Sequence, residues 1–370
     1  MSTVKTGFFW DERCFWHGGG NYALMIPVGG HVQPMIGGLP ENPETKRRLK
    51  NLMDVTGLMA ELASQSAPVA TEEQLRRVHP QSYLDEFQRM SAGDGGELGV
   101  RTPFGPGGYE IAAASAGLAI EAFNQVLNGT LKNAYSLSRP PGHHCLPDTP
   151  MGFCLLANIP VAIEEALANK ACERVAVIDW DVHHGNGTEA IYYDRDDVLT
   201  ISIHQENCFP RPSGDAGKRG DGKGEGYNIN VPLLPGGCPE VYSATFERIV
   251  EPAIRRFKPD AIIVACGFDA GGMDPLARML LHAPAFAEMT KRTMALAAEL
   301  CGGKLLCVHE GGYNEVHVPF CGHAVIQTLA GSSIEAPDPM EARIAGQRPD
   351  QRLIDLQRAL IGEMSESFGL

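Results

Sequence analysis

The sequence predicts an α/β protein: a central parallel sheet flanked by helices on both faces. Short, continuously apolar runs rich in β-branched residues alternate with longer amphipathic runs along most of the chain. Strands buried on both faces read this way, because neither face has to meet water. Four of the short runs also end in His, Asp, Arg or Tyr. Open α/β sheets bind their ligands at the carboxyl ends of strands.

In chain order, "KTGFFW" reads as a strand and "AAASAGLAIEAFNQVLNG" as a helix. "NAYSLS" is a strand running into Arg139-Pro-Pro-Gly-His143-His144, and "LANIPVAIEEALANK" is the next helix. "RVAVIDWD" and "VLTISIH" are strands, followed by the helical "VYSATFERIVEPAIRRF". "DAIIVACGFD" is a strand ending on Asp269, "APAFAEMTKRTMALAAELCG" a helix, and "KLLCVHEGGY" a strand ending on Tyr313. No linker interrupts this order, so a single domain over residues 1–370 is expected, with a helical extension at 335–370. Three loops are long and rich in Gly and Pro: 17–44, 93–109 and 205–227. Loops of that length in a compact domain are usually functional. The first is expected to lid a site or build a subunit interface, and His17 within it to approach a site rim.

Composition narrows the class. With 44% hydrophobic and 21% charged residues, the chain is that of a soluble globular protein. No run reaches the ~18 apolar residues of a membrane span, so no membrane partner is expected. The start, "MSTVKTGFFWDERCFW", meets acidic residues too early for a secretory signal. Ten cysteines are scattered without a CxxC pair, which suggests reduced, mostly buried thiols and a cytoplasmic setting. The net charge of −14 and the lack of a basic run argue against nucleic acid and favour cationic ligands.

The stretch "RVAVIDWDVHHGNG", residues 174–187, is the most informative. On an extended chain, residues two apart share a face. Asp179, Asp181 and His183 then point one way, with Trp180, Val182 and His184 the other. Three polar, metal-competent groups at the end of a core strand are costly to desolvate without a partner. Either a salt-bridged strand end or a metal site meets that need. His31, His79, His204, His282, His309, His317 and His323 read as core or surface histidines.

"RPPGHH", "DWDVHHGNGT", "CGFDAGGMDPL" and "EGGYN", in this order, resemble the zinc-dependent histone deacetylase family. The wording is closest to its class II branch and the bacterial histone deacetylase-like amidohydrolases, over roughly residues 15–330. The resemblance implies an arginase/deacetylase fold with about eight central parallel strands. It implies zinc on Asp181, His183 and Asp269, a donor set that leaves positions open for water and substrate. Ligand type alone would also suit iron, so the choice of zinc is the family's.

By the same resemblance, His143 is the general base, paired with Asp179. His144 is a cationic partner near the leaving amine, paired with Asn186. Tyr313 donates to the oxyanion. Gly152 offers its carbonyl to the substrate amide, Phe153 and Phe209 wall a tunnel for an acyl-lysine, and Leu276 stands at its rim. Potassium is implied beside Asp179, Asp181, His183, Ser202 and Ile203, with a second ion near Tyr192, Arg195, Val198 and Tyr227. The expected partners are an acyl-lysine peptide or a small cationic amide, and hydroxamate inhibitors. A homo-oligomer, dimer or tetramer, is expected. The nearest alternative is an acetylpolyamine amidohydrolase. A non-catalytic acyl-lysine binding protein is disfavoured by His143 and Tyr313. A ureohydrolase would need a second set of metal ligands.

Overall fold

The computed structural model describes residues 5–20, 22–28, 31–33 and 37–370. Eight strands form one sheet: β1 (Thr6–Phe9), β2 (Ala63–Gln65), β3 (Asn133–Ser136), β4 (Val175–Asp179), β5 (Val198–Gln205), β6 (Asn228–Leu233), β7 (Ala261–Cys266) and β8 (Leu305–His309). Their spatial order is β6-β5-β4-β7-β8-β3-β1-β2, and every pairing is parallel.

Alternation along each strand feeds two apolar layers. Ala176, Ile178, Ile262, Val264, Leu305 and Cys307 face one layer, which the helices Glu44–Thr56, Ala283–Leu300, Val318–Ala330 and Gln351–Ser367 complete. Val175, Val177, Ala261, Ile263, Leu306 and Val308 face the other, completed by Gly108–Leu127 and Asn158–Ala168. Burying one large apolar side chain contributes roughly 1.5–3 kcal/mol. Two such layers can therefore hold a polar site between them. Among the described residues, no helix is long and apolar enough to cross a membrane. All ten cysteines are free, and only Cys208 is not fully buried.

The topology positions the site. From β4 the chain adds β5 and β6 on one side, then returns with β7 on the other side of β4. Such a switch point opens a crevice beyond the carboxyl ends of the two strands. The four strands whose ends carry polar residues, β4, β7, β8 and β3, lie consecutively in the sheet.

The segment after β3 is anchored from below. The buried Arg139 guanidinium donates to Glu41 Oε1 at 3.0 Å and to the carbonyls of Cys14 and His17 at 2.8 Å. Lys46 reaches the same carboxylate oxygen at 3.1 Å. Burial works to raise the Glu41 carboxyl, but Arg139 and Lys46 outweigh it and hold it at about 2. His17 is accordingly buried against Arg139 and does not reach the rim; among the described residues of the 17–44 loop, Met25 does. Within that loop, residues 21, 29, 30 and 34–36 lie outside the described residues.

Candidate active site

The strand β4 stops at Asp179, two residues before the first candidate ligand. Asp179 Oδ1 accepts the Asp181 N–H at 3.0 Å, and Asp181 Oδ1 accepts the His183 N–H at 2.9 Å. Short carboxylate side chains that bond the backbone two residues on favour turns over ladders. Residues 181–183 are therefore a bend and not the extended strand that their spacing suggested. Trp180 and Val182 still enter one apolar layer, as expected.

The bend brings three donors together. His183 Nδ1 lies 3.1 Å from Asp181 Oδ1 and 3.0 Å from Asp269 Oδ2. Both aspartates are fully buried. Their other oxygens are taken: Asp181 Oδ2 accepts the Gly311 N–H at 2.7 Å, and Asp269 Oδ1 accepts the Val182 N–H at 2.8 Å. A Cβ at Gly311 would lie 2.3 Å from Asp269 Oδ2, so only glycine lets the backbone approach this closely. Burial, and then the Asp181 charge, push the Asp269 carboxyl up to about 6. Two buried carboxylates facing one imidazole are a donor set a divalent cation fits, with the Gly311 and Val182 N–H groups orienting them.

Among the described residues, two other clusters have metal-competent side chains, His317/Cys321/Asp338 and His143/Cys154/Glu310. Neither borders the central pocket. Asp338 is engaged by the Ala283 and Met340 N–H groups, and Glu310 by those of Gly142 and His143. Both carboxylates act as local fasteners.

The tandem histidines sit beside the first cluster with their rings 4.0 Å apart. His143 Nδ1 is 2.9 Å from Asp179 Oδ2, and His144 Nδ1 is 2.7 Å from Asn186 Oδ1. An amide oxygen only accepts, so His144 carries its proton on Nδ1 and leaves Nε2 free as a base. Burial opposes a cation on His143, but the Asp181 and Asp179 carboxylates overcome it and hold it at about 10. Burial, and then the neighbouring His143 and His183 charges, drive His144 well below its ordinary range.

Above these groups lies a pocket of about 200 Å³ whose lining includes His144, Gly152, Phe153, His183, Phe209, Leu276 and Tyr313. The Tyr313 ring meets Phe153 edge-on at 5.8 Å and His183 at 6.3 Å. Phe209 closes the other side, 5.0 Å from the His144 ring. Gly152 has φ +56°, and a Cβ there would lie 2.4 Å from His144 Cδ2 and 2.8 Å from Phe209 Cε1. Gly152→Ala is therefore expected to lower stability by about 1–2 kcal/mol through backbone strain alone. It should also raise KM by crowding the pocket. A denaturant titration and a Michaelis curve check both, and an unchanged KM would mean that the pocket does not receive substrate.

The potassium positions divide. Ser202 is the register partner of Asp179, and its hydroxyl accepts the Gly185 N–H at 3.3 Å, so the first set lies directly beneath the site. The second set lies apart from the pocket. Arg195 is ion-paired to Glu164 and Asp197, the Tyr192 hydroxyl donates to the Pro160 carbonyl, and Tyr227 lines a separate surface pocket.

Four neighbours of the site were not singled out in the sequence. Glu310 Oε2 accepts the Gly142 and His143 N–H groups at 2.7 and 3.1 Å, and so sets the histidine loop. Asp274 accepts the N–H of Leu276 and of Tyr313, each at 2.8 Å, tying rim to phenol. Both stand inside the motifs already quoted, so an acid flanked by Gly or Pro was the available signal. Arg101 and Cys208 also line the pocket; the long loops 93–109 and 205–227 that hold them were marked, but not these residues.

The chain is similar to known proteins over almost its whole length. The family model for the histone deacetylase domain matches residues 39–329. The chain is 56% identical to a histone deacetylase-like amidohydrolase from Pseudomonas aeruginosa, covering 100% of this chain and 97% of that one. It is 32% identical to histone deacetylase 8 of Arabidopsis thaliana, covering 92% and 90%. The crystal structure of the HDA15 HD domain matches with a TM-score of 0.81 at 30% identity, covering 99% of both chains. That likeness extends to the whole helix-flanked parallel sheet, the arginase/deacetylase architecture. With the family model matching residues 39–329 and a relative 56% identical over the whole length, the chain belongs to the histone deacetylase family.

Proposed function

We propose that the protein is a zinc-dependent amidohydrolase that removes acetyl or other acyl groups from the side-chain amine of lysine. One observation carries this reading: His183 of the Asp181/His183/Asp269 cluster, His144 of the histidine pair and the Tyr313 phenol line one aromatic-walled pocket. Zinc held by that cluster would polarise the amide carbonyl and make water a better nucleophile. The other parts belong to the chain. Phe153 and Phe209 flank an alkyl stem and exclude water from it. The Tyr313 hydroxyl donates to the carbonyl oxygen as negative charge develops there.

The histidines divide the proton chemistry, and here the reading departs from the expectation that His143 is the base. A carboxylate partner makes His143 the more basic imidazole, and a neutral amide leaves His144 the less basic. His144, which is neutral and lines the pocket, is the group suited to take a proton from water and pass it to the departing amine. His143, held charged by Asp179, stabilises the negative charge of the transition state. Asp179, Ser202 and Ile203, with the backbone at Asp181 and His183, supply oxygens suited to a potassium ion below the site. A second potassium by Tyr192, Arg195, Val198 and Tyr227 would be structural.

The rim favours acyl-lysine over acetylpolyamines. Leu276 lines the mouth where a polyamine's distal ammonium would sit. An apolar rim makes desolvating that ammonium unfavourable. kcat/KM for acetyl-lysine peptides is expected to exceed that for acetylputrescine and acetylspermidine, and Leu276→Glu to shift the ratio toward the polyamines. A wild-type preference for a polyamine would overturn the substrate assignment.

A further inference from the structure

We infer that Arg101 is a specificity determinant that selects acyl-lysine substrates carrying a carboxylate just outside the tunnel mouth. The inference rests on the acyl-lysine reading above and deepens it.

Arg101 stands in the second long loop and is fastened to the tunnel wall. Its carbonyl accepts the Phe153 N–H at 2.9 Å, and the Val100 carbonyl accepts the Gly152 N–H at 2.9 Å. Its φ is +61°, in the left-handed region that an arginine enters only at a cost. Strain of this kind persists where surrounding contacts over-determine it, and it concentrates at ligand sites. The side chain then crosses from the Phe153 side toward the opposite wall, with its guanidinium carbon 5.5 Å from the Phe209 ring centroid. Arg101 is exposed, yet it lines the pocket.

Its charge is unmatched. Among the described residues, no carboxylate lies within ion-pair distance of Arg101. Of the two acids in its own loop, Asp94 and Glu97, neither is ion-paired to Arg101, and Glu97 is engaged by the Thr102 N–H at 3.0 Å and the Tyr22 hydroxyl at 3.3 Å. Asp274, across the mouth, accepts the Leu276 and Tyr313 N–H groups. The other rim side chains, Met25 and Leu276, are apolar. Among the described residues that line the pocket, Arg101 is thus the one arginine or lysine, in a protein of net charge −14. A guanidinium held over an aromatic face presents a planar fork of donors, which matches a carboxylate in two-point contact. The same cation repels the distal ammonium of a polyamine.

The carboxylate has two possible sources, an acidic side chain next to the acyl-lysine or the lysine's own α-carboxylate. Two substrate pairs separate them: acetyl-lysine peptides flanked by Glu or by Gln, and Nα-capped acetyl-lysine with a free carboxylate or an amide. For the wild-type holoenzyme, kcat/KM for the acidic member of at least one pair should exceed that of its neutral partner by about threefold to tenfold. The ratio should shrink as ionic strength rises. Arg101→Lys, which keeps charge and stem, should retain the sign of the preference, and Arg101→Gln should bring the ratio to about one. A wild-type ratio of one or below in both pairs, or a preference that survives in Arg101→Gln, overturns the inference while leaving the acyl-lysine reading intact. No turnover of any acyl-lysine substrate overturns that reading, and this inference with it.

Discussion

A chelator is expected to abolish turnover, and one equivalent of zinc per chain to restore it. Elemental analysis of the active protein should find one catalytic transition-metal ion per chain; two would favour a binuclear hydrolase. The reason lies in the electrostatics of the donor set. Asp181 and Asp269 are fully buried and converge on His183 Nδ1. Buried like charges are tolerated only when something neutralises them. In the chelated protein a proton can do so, because the Asp269 carboxyl is pushed up from 3.8 to about 6 by burial and the Asp181 charge. The sign follows. A carboxyl raised above its unfolded value contributes stability that is fully present below about 3.8 and lost as pH rises through about 6. Metal replaces that proton, so metal affinity should weaken as pH falls through about 6. The rise in Tm on adding zinc should be larger at about pH 8 than at about pH 5. Asp269→Asn should lower zinc affinity by more than the ~10–100-fold typical of losing an outer partner. An active protein free of bound metal, or a Tm gain that is flat with pH, would overturn this account.

What the sequence disclosed follows from where each residue sits. The strands legible as apolar runs, β1, β3, β4, β5, β7 and β8, are the interior strands of the sheet. The two left unread, β2 and β6, are its two edges. An edge strand pairs on one side alone and needs no continuous apolar run. β2 is the three-residue Ala63–Gln65, and β6 contains Asn228, Asn230 and Pro232, a residue that edges tolerate. The candidate site was legible for a related reason. Asp181, His183 and Asp269 follow directly on buried strands, so their polarity stands out against an apolar background. Arg101 was silent because its role depends on meeting Phe153 and Phe209, more than fifty and one hundred positions away, across loops that periodicity cannot order. The bend at residues 181–183 shows the limit of reading faces from spacing. The carboxylates that make the stretch conspicuous also bond the backbone and end the strand.

Tyr313→Phe is expected to lower kcat by about 10²–10³ with little change in KM, metal content or Tm. The substitution keeps the ring that packs on Phe153 and His183, and it keeps the backbone N–H that donates to Asp274. Only the hydroxyl is lost. Among the described residues the hydrogen bond that Tyr313 makes is the one from its N–H to Asp274, so removing the hydroxyl leaves no buried group unpaired. Its place is nevertheless defined: a Cβ on Gly311 would lie 2.9 Å from the phenolic oxygen and 2.3 Å from Asp269 Oδ2, so the hydroxyl and the carboxylates proposed to hold the metal crowd the same glycine. Burial, followed by the Asp269 and Asp181 charges, holds the phenol well above its ordinary pKa. It therefore stays protonated, and a donor, at every pH where the enzyme works, and it should contribute no basic limb to the pH profile of kcat. A donor with no ground-state partner, aimed where charge appears only during reaction, acts on kcat and not on binding. Wild-type kcat in Tyr313→Phe would remove the phenol from the mechanism. A matching loss of metal would instead assign it to holding the ion.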